Sequence, residues 1–489
     1  MVTMKLIDEL KSIIGGTVAL PNESAYLHAI TLDNGRAQRE PAAIIFPINA
    51  KDIANVLKFS KQHQITVTVR GGGHSANGYC LNNSGFVIDM CNLVAKHIDT
   101  EHSTLRMQAG VSWLDVYQFL GASNTGLIPV GGACSTVGVG GFILGGGLSW
   151  VSRSLGMAID SLLEIMIVTA DGDIKTIERD AYKSKEDEDL FWACQGGGGG
   201  NFGIVVEMKI QLHRTNTPTI FGGSLSFPIE QIQEILSFYN EWILTVPDTL
   251  AVYGYLGMTP PEAGQQVQAL CLTAVYNGSY EEGFELISPL LKFKPIYTNI
   301  YNTSLIDYEI ANGKFTLVEN RDAYIRSAVF APGALTPEVA EIFKRNMLSA
   351  PSSESFATWM HTGGRIKAKR PDETAYPHRE AEFVFQLKTI WDDPTTAFSN
   401  VAWGYQFVEE LLVHANGGYV NYIDPLLHDW KVQYYGSNRE RLEKIKKHVD
   451  PENVFHFQQA VNSDFNPEKL DFSRPETVDL SPLNRTNFK

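Results

Sequence analysis

Apolar positions recur along this chain with two periods, and the period switches at short polar or glycine-bearing breaks. In residues 51–63 (KDIANVLKFSKQH), Ile53, Val56, Leu57 and Ser60 fall at helical spacing, and residues 65–70 (ITVTVR) then alternate with β-branched side chains, which predicts a helix followed by a strand. That strand runs directly into glycines. Further strands are predicted at FVIDM (86–90), LRMQAG (105–110), the hairpin LLEIMIVTADGDIKTI with its Asp171-Gly172 turn, and GIVVEMKIQLH (203–213). A helix from Ser112 to Leu120 opens on a Ser-x-x-Asp capping pattern, and another covers Asp187 to Cys194. The first 215 residues therefore read as α+β.

The pattern changes after the turn-rich HRTNTPT (213–219), which predicts a domain boundary near residue 216. Ile232, Ile235, Leu236, Tyr239 and Trp242 mark a long amphipathic helix, followed by the strand pair AVYGYLGM and QQVQALCLTAVY. EEGFELISPLLKF, TPEVAEIFKRNML and TAFSNVAWGYQFVEELLVHA read as helices and EFVFQLKTIW (382–391) as a strand, the mix expected of a sheet backed by helices on one side. The polar, proline-bearing tail after Asn462 is expected on the surface.

Composition narrows the function classes. At ~100–200 residues per domain, 489 residues make about two to four domains. A formal net charge of −15 repels phosphate backbones and anionic lipid heads and argues against nucleic-acid and membrane partners. Five cysteines without CxxC spacing indicate neither a disulfide framework nor a metal site, and at least one stays unpaired. The N-terminal MVTMKLIDELKSIIGG lacks the layout of a secretory signal, which leaves a reducing, cytoplasmic setting as the expectation. Residues 116–152 carry no charge, yet 10 of these 37 are glycine and Pro129 interrupts them, so they read as buried turn backbone and not as a membrane span.

Of the 42 glycines, 24 lie between Gly71 and Gly203. Two stretches match a dinucleotide-binding fingerprint superficially, and both fail on context. Gly71, Gly73 and Ala76 follow a strand, but SANGYCLNNSG leaves no helix before the next one; Gly198, Gly200 and Gly203 precede a strand pattern where the motif needs a helix. Tight turns explain isolated glycines such as Gly110 or Gly172, and explain the runs at 71–73, 145–147 and 196–200 poorly. Converging glycine loops that present backbone N–H groups to an anion account for them better.

The runs VTVRGGGHSANGYC, GGACSTVGVGGFILGGGLS, FWACQGGGGGNFGIVVE, GGYVNYID and DPENVFHFQQAV occur in this order across essentially the whole chain. In this the chain resembles the berberine bridge enzyme-like FAD-linked oxidases of the vanillyl-alcohol oxidase type. The resemblance implies an α+β fold with an FAD domain formed by residues 1–215 and a returning segment 420–489, and a substrate domain at 216–419 whose antiparallel sheet roofs the flavin. It implies FAD contacts at Arg70, Gly71, Gly72, Gly73, Ser75, Gly132, Ser135, Val137, Gly138, Gly140, Gly141, Gly203, Val205, Asn421 and Tyr422.

The resemblance also implies that His74 and Cys134 each bond the flavin, through the 8α-methyl group and C6. A neutral imidazole and a thiolate are the nucleophiles such bonds need. Val137 matches a position where valine leaves space for molecular oxygen. Tyr419 matches the base that takes a proton from a small-molecule alcohol or hemiacetal substrate, and Tyr376 is the candidate second phenol that would help lower its pKa from ~10. The implied activity is hydride removal from a sugar or bulky natural product with reduction of O2 to H2O2; a dehydrogenase with another acceptor and a non-catalytic flavin-binding protein are the alternatives. Gln195 replaces the arginine usual before the glycine run, and Cys80 is an unusual residue after Gly78-Tyr79.

Overall fold

The computed structural model describes residues 2–313, 320–470 and 472. Near the N-terminus, strands Ala43–Phe46, Phe86–Asp89 and Val67–Arg70 pair in parallel, with Thr17–Ala19 antiparallel at one edge. The helix Ala50–His63 links two of them; Asn49 caps its start by accepting the Asp52 N–H at 2.9 Å, and Gln64 ends it at φ 53°. This crossover helix precedes the glycine loop. Residues 71–85, which follow the loop's strand, carry no helix, so the fingerprint fails for the reason its context predicted.

A second, antiparallel sheet runs in the order Lys96–Asp99, Thr104–Gln108, Ile204–Gln211, Leu162–Val168, Ile174–Glu178. Gly172 takes φ +75° at the hairpin turn. The Trp113–Ser123 helix is closed by the expected capping box, in which the Ser112 hydroxyl and Asp115 carboxylate each bind the other's backbone N–H.

The third sheet is seven-stranded and antiparallel: Tyr297–Thr303, Ile220–Pro228, Gln268–Tyr276, Leu250–Met258, Phe356–His361, Phe383–Trp391, Asp322–Phe330. Its two faces differ. Leu225, Leu272, Val252, Trp359, Phe385 and Leu387 bury one face against helices Ile232–Trp242, Pro337–Leu348 and Ala397–Leu412. Phe343 of the second helix stacks on Trp359 at 5.6 Å, and Gly254 is obligatory beneath that indole because a Cβ there would stand 2.0 Å from it. The other face carries Ser224, Thr273, Tyr253, Tyr255, Thr358, Gln386 and Lys388 and looks into a cavity.

Two readings of the sequence need correcting. EEGFELISPLLKF is not one helix: Tyr280–Ile287 is α-helical and Ser288–Phe293 tightens to a 3-10 helix at Pro289, which has no N–H to donate. Asp322–Phe330 escaped notice as a strand because Arg326 and Ser327 interrupt its apolar run; both are buried, Arg326 between Asp424 at 2.7 Å and Glu409 at 3.0 Å. The tail beyond residue 470, apart from Phe472, lies outside the described residues. Among them no helix is long and apolar enough to cross a membrane.

Candidate active site

The polar face of the seven-stranded sheet roofs a cavity of about 2690 Å3, part of it open to solvent, whose floor is made of loops 71–76, 132–141 and 198–205 and whose end wall is 419–423 with 455–457. With the open solvent set aside, the enclosed space of about 450 Å3 lies within the ~300–1,000 Å3 of an ordinary small-molecule site. The glycines of the floor divide into two kinds. Gly72 and Gly138 pack backbone to backbone, where a Cβ on Gly72 would stand 2.3 Å from the Gly138 nitrogen. At Gly71, Gly141 and Gly199 a Cβ would meet no protein atom closer than 3.9 Å and would project into free space. Internal packing does not demand those three glycines. A ligand lying against the backbone does.

Gly71, Gly72, Gly73, His74, Ser75, Gly132, Cys134, Val137, Gly138, Gly140, Gly141, Gly203, Val205, Tyr419, Asn421 and Tyr422 all line the cavity. Arg70, Ser135 and Tyr376 are not among its lining residues. Arg70 lies under the first glycine loop, bonded to the Gly71 carbonyl at 3.3 Å and Asp89 at 3.1 Å, with its buried Nε unpartnered. Ser135 turns away, its N–H donating to the Gly313 carbonyl at 2.9 Å. Uncharged glycine loops open to the cavity can present backbone N–H groups that suit a dinucleotide's phosphates, so these residues fit FAD.

His74 and Cys134, 60 residues apart in sequence, share a neighbour that sequence reasoning missed. The Thr136 hydroxyl lies 2.9 Å from His74 Nε2 and 3.9 Å from Cys134 Sγ. Asp33 stands 3.7 Å from His74 Nδ1. Burial lowers the His74 pKa against the pull of Asp33, so the imidazole is neutral at pH 7. Cys80 also lines the cavity, and burial pushes its thiol up to about 11, away from thiolate reactivity.

Tyr419 comes from the segment after the sheet and reaches over Gly146. Its Oη accepts the Gly147 N–H at 2.8 Å and the Asn421 side-chain amide at 3.0 Å. Tyr376 packs edge-on against it, ring centroids 5.9 Å apart, and makes no hydrogen bond to it. The phenol that the sequence suggested would help acidify Tyr419 is therefore a packing neighbour in this structure. Burial pushes Tyr419 up to about 12, with the two N–H donors pulling the other way. Tyr422 stands edge-on at 5.2 Å on another side. Gln195 donates to the Ile159 carbonyl at 3.1 Å, and the adjacent Asp160 pairs with Arg379 through two 2.9 Å bonds.

Residues 41–178 match the FAD binding domain family and residues 418–462 the family "Berberine and berberine like". The FAD-linked oxidoreductase YgaK of Bacillus subtilis is 29% identical over 92% of this chain and 98% of its own length, and Berberine bridge enzyme-like C-2 of Nicotiana tabacum is 25% identical over 86% and 85%. The chain is an FAD-linked oxidoreductase similar over most of its length to the berberine bridge enzyme-like proteins. The fold of this oxidoreductase matches Physcomitrella patens BBE-like 1 at a TM-score of 0.83, with 24% identity over 93% of this chain and 98% of that one. It matches berberine bridge enzyme from Eschscholzia californica at 0.81, with 23% identity over 95% and 100%. As in that fold, an FAD-binding domain is joined to a substrate domain.

Proposed function

We propose that this oxidoreductase is an oxidase that carries FAD bonded to both His74 and Cys134, takes a hydride from an alcohol, hemiacetal or related C–H group, and uses O2 as acceptor to form H2O2. The observation that carries the reading is the convergence of His74, Cys134 and Tyr419 on one glycine-floored cavity. Residues 1–215 and 420–489 would form the FAD domain and 216–419 the substrate domain. Bound FAD supplies an electron-poor ring that accepts a hydride from the substrate carbon and passes its electrons to oxygen. The chain's own groups do the rest. His74 is neutral and can act as a nucleophile, with Thr136 holding Nε2. Tyr419 Oη takes the substrate hydroxyl proton. Val137 borders the cavity at the position associated with oxygen access.

The roof supports a hydroxyl-rich or ring-bearing substrate. Ser224, Thr273, Thr358 and Gln386 offer donors and acceptors, while Trp150 stacks on Tyr253 at 3.9 Å to make a flat aromatic wall.

Three measurements test this. Yellow colour should stay with the chain after acid denaturation and be lost only when His74→Ala and Cys134→Ala are combined; flavin released from the wild type overturns the attachment. Enzyme bleached without air by a sugar or aryl alcohol from a broad panel should regain its flavin colour rapidly on aeration with release of peroxide. Slow return favours the dehydrogenase reading, to which the glucose dehydrogenase activity of the similarly folded grass pollen allergen Phl p 4 lends weight. Tyr419→Phe should slow bleaching by about 100- to 10,000-fold.

A further inference from the structure

Tyr419 is held by two donors whose geometry leaves little freedom in how its oxygen is used. The Gly147 N–H and the Asn421 Nδ2 both point at Oη, at 2.8 and 3.0 Å. The sense of the second bond is fixed by a third group: the same Nδ2 donates to the Phe142 carbonyl at 3.0 Å, and a flipped amide would set oxygen against oxygen there. Gly145 makes room for this arrangement, since a Cβ on it would stand 2.0 Å from Asn421 Oδ1. A phenol oxygen has two lone pairs, and here both face N–H groups.

The surroundings offer no competing charge at contact distance. The rings packed on Tyr419 are those of Tyr376 at 5.9 Å and Tyr422 at 5.2 Å. The Arg379 guanidinium sits 5.7 Å from the Tyr376 ring and pairs with Asp160. Among the described residues no carboxylate or carbonyl accepts the Tyr419 O–H. The site thus supplies two donors to the oxygen and no acceptor for its proton, the pattern that stabilises the ionised form of a group over the neutral one.

We infer that the Gly147 N–H and the Asn421 amide form an oxyanion cradle that lowers the cost of forming the Tyr419 phenolate used in proton abstraction, and that Asn421 is a positioning residue acting through Tyr419. The inference rests on the reading of Tyr419 as the base. Tyr419 releases its phenolic proton to water in the open cavity, Oη then accepts the proton of the substrate hydroxyl, and the restored phenol loses that proton to solvent. Only a proton moves in these steps.

A test that needs no substrate reads Tyr419 directly. The holoenzyme is made with 3-fluorotyrosine, which lowers phenol pKa values, and the fluorine resonance that vanishes in Tyr419→Phe is followed through a pH titration. Asn421→Ala should raise the pKa of this resonance by about one unit, leaving about tenfold less phenolate at a given pH. Asn421→Asp keeps the shape but presents an ionised acceptor, and should raise it further. An unmoved pKa in both variants overturns the cradle, as does an Asp variant that titrates like the wild type while Ala shifts, because that order means Asn421 serves only as a spacer. Failure of the underlying reading is separate: it shows as a Tyr419→Phe enzyme that a panel alcohol still bleaches at the wild-type rate, whatever the fluorine titration reports.

Discussion

Glu309 shows how much one buried group can weigh. It is fully buried on the Leu305–Asn312 helix with Oε2 unpartnered, and its contact with Tyr117 offsets only part of the desolvation. Burial drives its pKa well above the usual carboxylate range and favours the protonated form in the folded protein. A folded pKa above the unfolded ~4.3 means that stability present at low pH is lost as pH rises toward the folded value. Glu309→Gln keeps the shape and removes the titration. The variant should therefore gain on the wild type by about 1–3 kcal/mol as pH is raised from about 5 to about 8, measured by denaturant unfolding. An equal difference at both pH values would mean that Glu309 ionises in place. The same scale governs Thr136, whose role no motif announces because a threonine in an apolar, glycine-rich run reads as ordinary turn chemistry.

At the scale of the element, the glycine loops separate into backbone packing and ligand contact. Gly72→Ala must push the loop at Gly138 aside and is expected to destabilise the protein by about 1–3 kcal/mol in thermal or chemical unfolding. Gly141→Ala has open space, so unfolding of the flavin-free chain should be unchanged while flavin incorporation falls, measured as the ratio of flavin to protein absorbance. Equal flavin content in Gly141→Ala and wild type would remove that glycine from the FAD contacts. The loops themselves were legible in the sequence, as were the hairpin turn and the capping box, since each depends on residues within a few positions of one another. The two edge strands of the seven-stranded sheet, Tyr297–Thr303 and Asp322–Phe330, were not legible. Their polar residues are explained by what they meet across the fold, as when Arg326 meets Asp424 98 residues away.

Across the whole molecule, the joints between the sheets carry buried ionisable groups. Arg153, from the segment before the hairpin, donates to the Leu250 carbonyl at 2.8 Å and the Thr362 carbonyl at 2.6 Å beside Glu382, which His361 meets at 3.0 Å. His378 holds the Gln433 carbonyl at 2.9 Å. Burial lowers both imidazoles to about 4. A histidine depressed in the folded state binds its proton first in the unfolded chain, so stability present above ~6.5 is lost as pH falls toward about 4. The melting temperature should drop across that window. His378→Phe should flatten part of the drop, and an unchanged slope in this variant would exonerate the imidazole.

The sequence by itself determined the local elements, the two-faced character of the sheet strands and the glycine loops, because periodicity and turn chemistry are short-range properties, while His74, Cys134 and Tyr419 were singled out by resemblance to a family. Only the tertiary structure decided which groups those residues meet. Thr136 stands between His74 and Cys134, and the Gly147 N–H reaches Tyr419 across 272 residues of chain. Such pairings are set by the packing of whole sheets and loops, and a backbone N–H leaves no mark on the residue type that carries it.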